Sequence, residues 1–299
     1  MIWLVTCTLL VLLLGMLGIS LYVGWNLTHP ARRLLEESPS LYGIAYDNME
    51  FHSRTKDVLL KGWFLPCALN STHSEPKMTL ILSHGYAGNR LEKGLPALAL
   101  AKSLVANGFH VLMFDFRNSG ESEGRLTTIG MLEKQDLLGA IDWVKEHQPG
   151  KIGLIGFSMG ATTSLLAAAE EPEIVGVVAD SPFSQLKPYL HKNLSVWSRL
   201  PHFPFTPLIM AILPVLTGID TRQVDAFAAC ERIHPRPLLF IHSRDDQAIP
   251  YTQSERMWSQ HKGSFEFWQT ANVGHVGTYH SYPDEYTSRV LGFFNNLLI

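Results

Sequence analysis

The chain has 299 residues, 46% of them hydrophobic and 17% charged, a composition that suits one large α/β domain or two small ones. Its 24 Lys and Arg against 27 Asp and Glu leave a net charge of −3, and the isoelectric point is about 6.5. That balance excludes the basic footprint of a nucleic-acid-binding protein, so no nucleic-acid partner is expected.

From Ile2 to Tyr22 there is no charged residue. About 21 residues at ~1.5 Å each span roughly 30 Å, the thickness of a bilayer core, so residues 1–28 read as a transmembrane anchor. Trp3, Tyr22 and Trp25 near its ends fit interfacial aromatic positions. A cleaved signal peptide is the competing reading, and two features weigh against it: no Lys or Arg precedes the apolar run, and no small-x-small site follows it. Arg32 and Arg33 after the run point weakly to a cytoplasmic body by the positive-inside rule and leave the side open.

Residues 29–41, with Pro30 and Pro39, read as a polar connector, and the domain proper as residues 42–299. Tyr46 to Ser53 and Val58 to Leu65, separated by Arg54-Thr55-Lys56-Asp57, predict an antiparallel hairpin. A loop follows over Pro66 to Lys77. Strands are then expected at Met78 to Ser83, His110 to Phe116, Ile152 to Phe157, Val175 to Ala179, Pro237 to His242 and Ser264 to Gln269. Helices fill the gaps at Leu95 to Asn107, Gly130 to His147, Met159 to Glu170, Thr252 to His261 and Tyr282 to Leu298. Apolar strands alternating with helices imply a mainly parallel sheet covered on both faces, with its chemistry at the carboxyl ends of the strands.

One region breaks the rhythm. Between Ala179 and Pro237 the chain carries Pro182, Pro188, Pro201, Pro204, Pro207 and Pro214 and several large apolar side chains. A structureless loop of that length is uncommon, so a helical cap over the site is expected at about residues 184–232. Its apolar residues Phe203, Phe205, Leu208, Ile209, Met210 and Ile212 either line an acyl pocket or pack the cap onto the sheet.

The cysteines, Cys7, Cys67 and Cys230, show no metal or redox spacing, and Cys7 lies in the apolar N-terminus. At most one disulfide joins the other two, and unpaired thiols are the favoured reading. The histidines form no H-x-x-x-H pair, so no metal is expected.

Chemistry centres on Gly156-Phe157-Ser158-Met159-Gly160, between an apolar strand and an Ala-rich helix. This is the setting of a nucleophile elbow, a strained turn that pushes a serine hydroxyl outward. A serine needs a base to take its proton and a carboxylate to orient the base. After Ser158 come Asp245 and Asp246, past a predicted strand, and then His275, past the last one, with His280 nearby. The order Ser, Asp, His is that of α/β hydrolases.

From about Tyr46 onward the chain resembles the α/β-hydrolase superfamily, and is most similar to membrane-anchored or exported bacterial serine hydrolases with a dipeptidyl-peptidase-like (S9-like) core. Carrying the likeness are Leu-Lys-Gly-Trp-Phe-Leu-Pro (60–66), Ser-His-Gly-Tyr (83–86), Phe-Asp-Phe-Arg-Asn-Ser-Gly-Glu-Ser (114–122), Gly-Phe-Ser-Met-Gly (156–160), Ala-Asp-Ser-Pro-Phe (179–183), Asp-Asp-Gln-Ala-Ile-Pro (245–250) and Gly-His (274–275).

The resemblance implies an eight-stranded sheet with the first hairpin at its antiparallel edge. It selects Asp246, four residues before Pro250, as the triad acid, leaving Asp245 to shape the loop; it selects His275 as the base. Backbone N–H groups of Tyr86 and Met159 become the oxyanion donors, while His84 shapes the loop. Asp180 is a weaker candidate acid, and Arg117 with Asp115 reads as a buried structural pair.

The expected function is a membrane-anchored serine hydrolase acting through an acyl-enzyme on carboxylic esters, medium acyl or lipid-like, without metal or organic cofactor. An S9-like peptidase or amidase is the enzymatic alternative. A membrane-tethered pseudoenzyme is the non-catalytic one.

Overall fold

The computed structural model describes residues 1–68 and 75–298. The loop expected over Pro66 to Lys77 therefore lies partly outside the described residues. Strands run Asp47–His52 (β1), Leu59–Leu65 (β2), Thr79–Ser83 (β3), His110–Phe114 (β4), Ile152–Phe157 (β5), Ile174–Asp180 (β6), Leu238–Ser243 (β7) and Phe265–Thr270 (β8). Helices are Ile2–Thr28 (α1), Ala97–Ala106 (α2), Glu133–His147 (α3), Met159–Glu170 (α4), Leu186–Ser198 (α5), His202–Thr217 (α6), Ala226–Ile233 (α7), Thr252–Trp258 (α8), Thr278–Ser281 (α9) and Pro283–Asn296 (α10).

The eight strands form one sheet in the order β1-β2-β4-β3-β5-β6-β7-β8. Pairing is antiparallel from β1 to β2 and from β2 to β4, and parallel from β4 through to β8. This is the mainly parallel sheet expected from the pattern of strands, in the α/β-hydrolase arrangement that the resemblance implies. Every residue of β5 is buried, because helices cover both faces of the sheet. One side carries the core around Leu112, Leu154 and Phe240, and the other the core around Leu80, Ile155 and Phe294.

Register does the positioning. Ser83 lies opposite Gly156, Phe157 opposite Asp180, and Asp180 opposite Ile241. The chain therefore leaves β3, β5, β6 and β7 at one level, and the loops bearing His84, Ser158, Ser181 and Asp246 share one rim.

α1 is long and apolar enough to cross a membrane, with a mean hydropathy of 2.5 over its most apolar stretch. It continues past Tyr22 to Thr28, and its buried residues are Ser20, Gly24 and Thr28. They recur every fourth position and so share one helix face. That face packs chiefly on α6 and less on α5.

Between β6 and β7, α5 and α6 stand over the rim, bent by 115° where they meet. α7 instead lies against α4, with Ala229, Cys230 and Ile233 buried. It starts at Asp225, whose carboxylate accepts from the Ala228 N–H at 2.9 Å. All three cysteines are free.

One expected pairing is corrected. Arg117 does not meet Asp115. It binds Asp136, in the first turn of α3, at 2.8 Å, and Asp57 at 3.0 Å, while Asp115 binds Arg90 at 2.6 Å. Both residues are buried, and each draws its countercharge from a different packed segment, which proximity in sequence does not reveal.

Candidate active site

Ser158 sits between β5 and α4 with φ 54° and ψ −117°, a conformation unfavourable for any residue with a side chain. It is held because the flanks allow no relaxation. A Cβ on Gly156 would run into the backbone of Gly160 and Ala161, and one on Gly160 into the carbonyls of Ser83 and His84. The Ser158 N–H donates to the Asp180 carbonyl at 2.8 Å. The hydroxyl is thereby pushed above the rim.

Three of the expected site residues meet there. His275 Nε2 is 2.8 Å from Ser158 Oγ, and its Nδ1 is 2.6 Å from Asp246 Oδ2. Asp246 Oδ1 accepts from the N–H groups of Ala248 (2.8 Å) and Ile249 (2.9 Å). Burial pushes the Asp246 carboxyl up, but hydrogen bonds from His242 and His275, the charge of His275 and the Ile249 N–H outweigh it and hold it well below the usual carboxylate range. A carboxylate kept ionised beside Nδ1 fixes the tautomer in which Nε2 is free to accept the serine proton.

His242 was not among the expected site residues. Fully buried at the end of β7, its Nε2 lies 3.1 Å from Asp246 Oδ2 and 2.9 Å from the Ile249 carbonyl, with Nδ1 2.8 Å from Ser254 Oγ. Two acceptors face Nε2, so that nitrogen carries the proton and donates to Asp246. The only sequence signal was a histidine ending an apolar strand four residues before the acid.

The other candidates stand apart. Asp245 Oδ1 accepts from Ser243 Oγ (2.5 Å) and the Asn272 N–H (2.6 Å), joining the β7 and β8 loops. Asp180 accepts from Ser181 Oγ and the Tyr286 hydroxyl, and burial pushes its carboxyl up to about 6. His280 is exposed on α9.

The loop after β3 supplies the opposite wall. His84 Nε2 accepts from the Phe116 N–H at 3.0 Å and Nδ1 faces the Gly85 carbonyl at 2.8 Å, a buried brace as expected. A Cβ on Gly85 would lie 3.4 Å from Ser158 Cβ, so the loop passes directly beside that serine. Glu92, also unforeseen, accepts from the N–H groups of Gly85 and Gly94 and holds the loop from behind. Among the described residues, the N–H groups of Tyr86 and Met159 donate to no protein acceptor. Two unspent donors next to the serine suit a developing oxyanion. The Tyr86 hydroxyl is spent, donating to the Leu27 carbonyl at 2.7 Å, and burial pushes it up to about 12.

An apolar pocket opens over Ser158. Tyr189, Leu190, Leu194 and Trp197 of α5 line it with Ile129, Phe183 and Ile249. Leu27 and Thr28 of α1 complete it, and α6 contributes Leu213. None of the six apolar residues singled out on α6 reaches it; Ile209 is buried against α1 and Phe203 faces outward. Trp197 Nε1 donates to the Tyr189 hydroxyl (2.6 Å), which donates to the Ala248 carbonyl (2.9 Å), tying α5 to the loop of Asp246.

Sheet order and the rim site define an α/β hydrolase. The chain belongs to the X-Pro dipeptidyl-peptidase (S15) family, whose profile matches residues 53–291. YqkD of Bacillus subtilis is 32% identical over 229 residues, 75% of this chain and 73% of that protein. The lysophosphatidylserine lipase ABHD12 of Danio rerio is 27% identical over 190 residues, 60% of this chain and 46% of the lipase. Among solved structures, the esterase Pf2001 of Pyrococcus furiosus superposes with a TM-score of 0.73 at 27% identity, over 90% of this chain and 98% of the esterase. Est1E of Butyrivibrio proteoclasticus shares the fold at 17% identity, with a TM-score of 0.65 over 83% of this chain and 98% of its own. The protein is thus a hydrolase-family enzyme whose likeness spans peptidase and esterase relatives.

Proposed function

We propose that this protein is a membrane-anchored serine hydrolase that cleaves carboxylic esters with apolar acyl groups. Ser158 Oγ attacks the acyl carbonyl as His275 takes its proton. Asp246 orients and stabilises the imidazolium, and the Tyr86 and Met159 N–H groups hold the oxyanion. The protonated His275 then gives its proton to the leaving alkoxide. Water attacks the acyl-enzyme through the same base and regenerates Ser158.

The observation that carries this reading is the unbroken hydrogen-bonded chain from Ser158 through His275 to Asp246 at the mouth of an apolar pocket. In the same reading residues 1–28 stay attached as the anchor, 29–41 connect, and 42–299 form the hydrolase domain with its cap at about 184–232. Pocket chemistry favours esters over the dipeptides of the family's description. A dipeptidyl substrate brings in a charged amino terminus, which needs a carboxylate when buried, and no charged side chain lines the pocket among the described residues.

A fluorophosphonate probe tests the mechanism. The intact protein should label and Ser158→Ala should not; equal labelling of both refutes the assignment. A series of p-nitrophenyl esters of increasing chain length, run beside peptide amides, tests the substrate class. Faster turnover of the amides would reverse the ester preference.

A further inference from the structure

α6 is left with an uncovered side. From Leu200 to Ile219 the chain carries no Asp, Glu, Lys or Arg. A helix apolar on all sides is normally enclosed on all sides. Yet α6 buries only Thr206, Ile209 and Leu213; Val215 is 84% exposed, with Pro207, Ala211 and Pro214 exposed on the same side, and Phe203, at the kink that opens the helix, is also exposed.

Its covered side rests on α1. A Cβ on Gly24 would lie 3.4 Å from Leu213 Cδ2 and 3.6 Å from Ile209 Cγ2. Ser20, Gly24 and Thr28 give α1 a small residue at every fourth position on its buried face, the spacing that lets helices approach closely inside bilayers.

Length sets the depth of this seam. Residues 2–15 of α1 are exposed throughout and project from the body. At ~1.5 Å per residue, roughly 14 residues reach about 21 Å, short of the hydrocarbon layer of about 30 Å. A helix crossing that layer must draw in on the order of six more residues. Those follow Gly15, where Met16 and Leu17 are half-buried, Ser20 is buried, and the cap begins to cover the helix. The cap helix beside it is carried to the same depth. Arg199 before α6, and Asp220 and Arg222 after it, keep charge at both ends, as suits a helix lying along the interface instead of crossing it.

We propose that α6 is a second membrane-contacting element, its exposed Pro207, Ala211, Pro214 and Val215 side seated among the acyl chains of the leaflet nearer the body. The pocket at Ser158 then opens to that leaflet between α1 and α6, since Leu27, Thr28 and Leu213 are among its walls. This rests on the reading of α1 as a retained anchor. The occupant is lipid and not a second copy of the chain, because the exposed face continues directly from a helix already in the bilayer.

Depth-dependent quenching tests it on the full-length protein in phosphatidylcholine vesicles. Cys67 and Cys230 are buried, so in a Cys7→Ser background an NBD probe can be attached singly through Leu10→Cys, Val215→Cys or Glu146→Cys. The last position is exposed, just before β5 at the amino ends of the strands. Phosphatidylcholine with a nitroxide near the glycerol should quench position 215 at least twofold. A nitroxide deep in the chain should quench position 10, and neither should quench position 146. If position 10 is quenched and position 215 is not, the proposal is wrong and the anchor stands. If position 10 is also unquenched, the anchor reading has failed and the proposal with it. Cross-linking between copies through position 215, with no lipid quenching there, would assign the face to a second copy and overturn the proposal.

Discussion

Asp246 receives two imidazoles on one oxygen. His275 bridges that oxygen to Ser158, while His242, buried and locked between Ser254, Ile249 and Asp246, fixes where the oxygen points. Losing a hydrogen bond to a charged group costs about 1.5–3 kcal/mol, roughly ten- to hundredfold in rate if felt in the transition state. His242→Ala should therefore lower kcat by about that factor with KM nearly unchanged, and His242→Gln, which keeps a donor, should recover most of it.

Asp180 offers a pH signature of its own. Its carboxyl sits at about 6, above its ordinary value of 3.8, because burial disfavours the charge. A group raised in the folded state stabilises fully below its unfolded value and loses that contribution as pH rises through the folded one. Urea titrations should therefore show the natural protein gaining on the order of 2 kcal/mol relative to Asp180→Asn on going from pH 7 to 4.5. Asp246, shifted the other way, loses its contribution only below that window.

At this scale the meeting of Ser158, Asp246 and His275 was legible, because each stands in a loop phrase just past the end of a strand. His242 and Glu92 were not. Each acts through a backbone or carboxylate that only tertiary folding brings near.

Among the elements, strands were the easiest to read. Five-to-seven-residue apolar runs bounded by Gly, Pro and polar turns leave little choice of register, and β5 and α4 coincide with their expected limits. The end of α1 was harder. Ser20, Gly24 and Thr28 look like weak points in an apolar helix until α6 is seen beside them, and nothing in the local pattern names that partner.

The contact makes Gly24 a sensitive position. With Leu213 already 3.4 Å from where its Cβ would stand, Gly24→Ala should be accepted and Gly24→Leu should force the helices apart. Overpacking of this kind costs about 1–3 kcal/mol. A lower thermal midpoint in detergent, with faster tryptic cleavage at Arg199 between α5 and α6, would register it.

The molecule as a whole places Ser158, the helices α5 and α6 and its N-terminal helix around one pocket, so the helix is a structural part of the candidate site. A chain beginning at His29 loses Leu27 and Thr28 from the wall, the acceptor of the Tyr86 hydroxyl, and the cover over Ile209 and Leu213. Its KM for long-chain esters should rise at least tenfold, with smaller change for butyrate esters. Equal chain-length profiles for the two proteins would show that the helix only tethers.

The bond from Tyr86 to α1 ends on a carbonyl oxygen and not on a side chain. It therefore sets the height of the helix against the loop after β3 while remaining indifferent to which residue occupies position 27. The Thr127 N–H, donating to the Thr28 carbonyl at 2.8 Å, works in the same way. The side chain at position 27 can thus be exchanged, reshaping the room in the pocket, without the loop after β3 having to change with it.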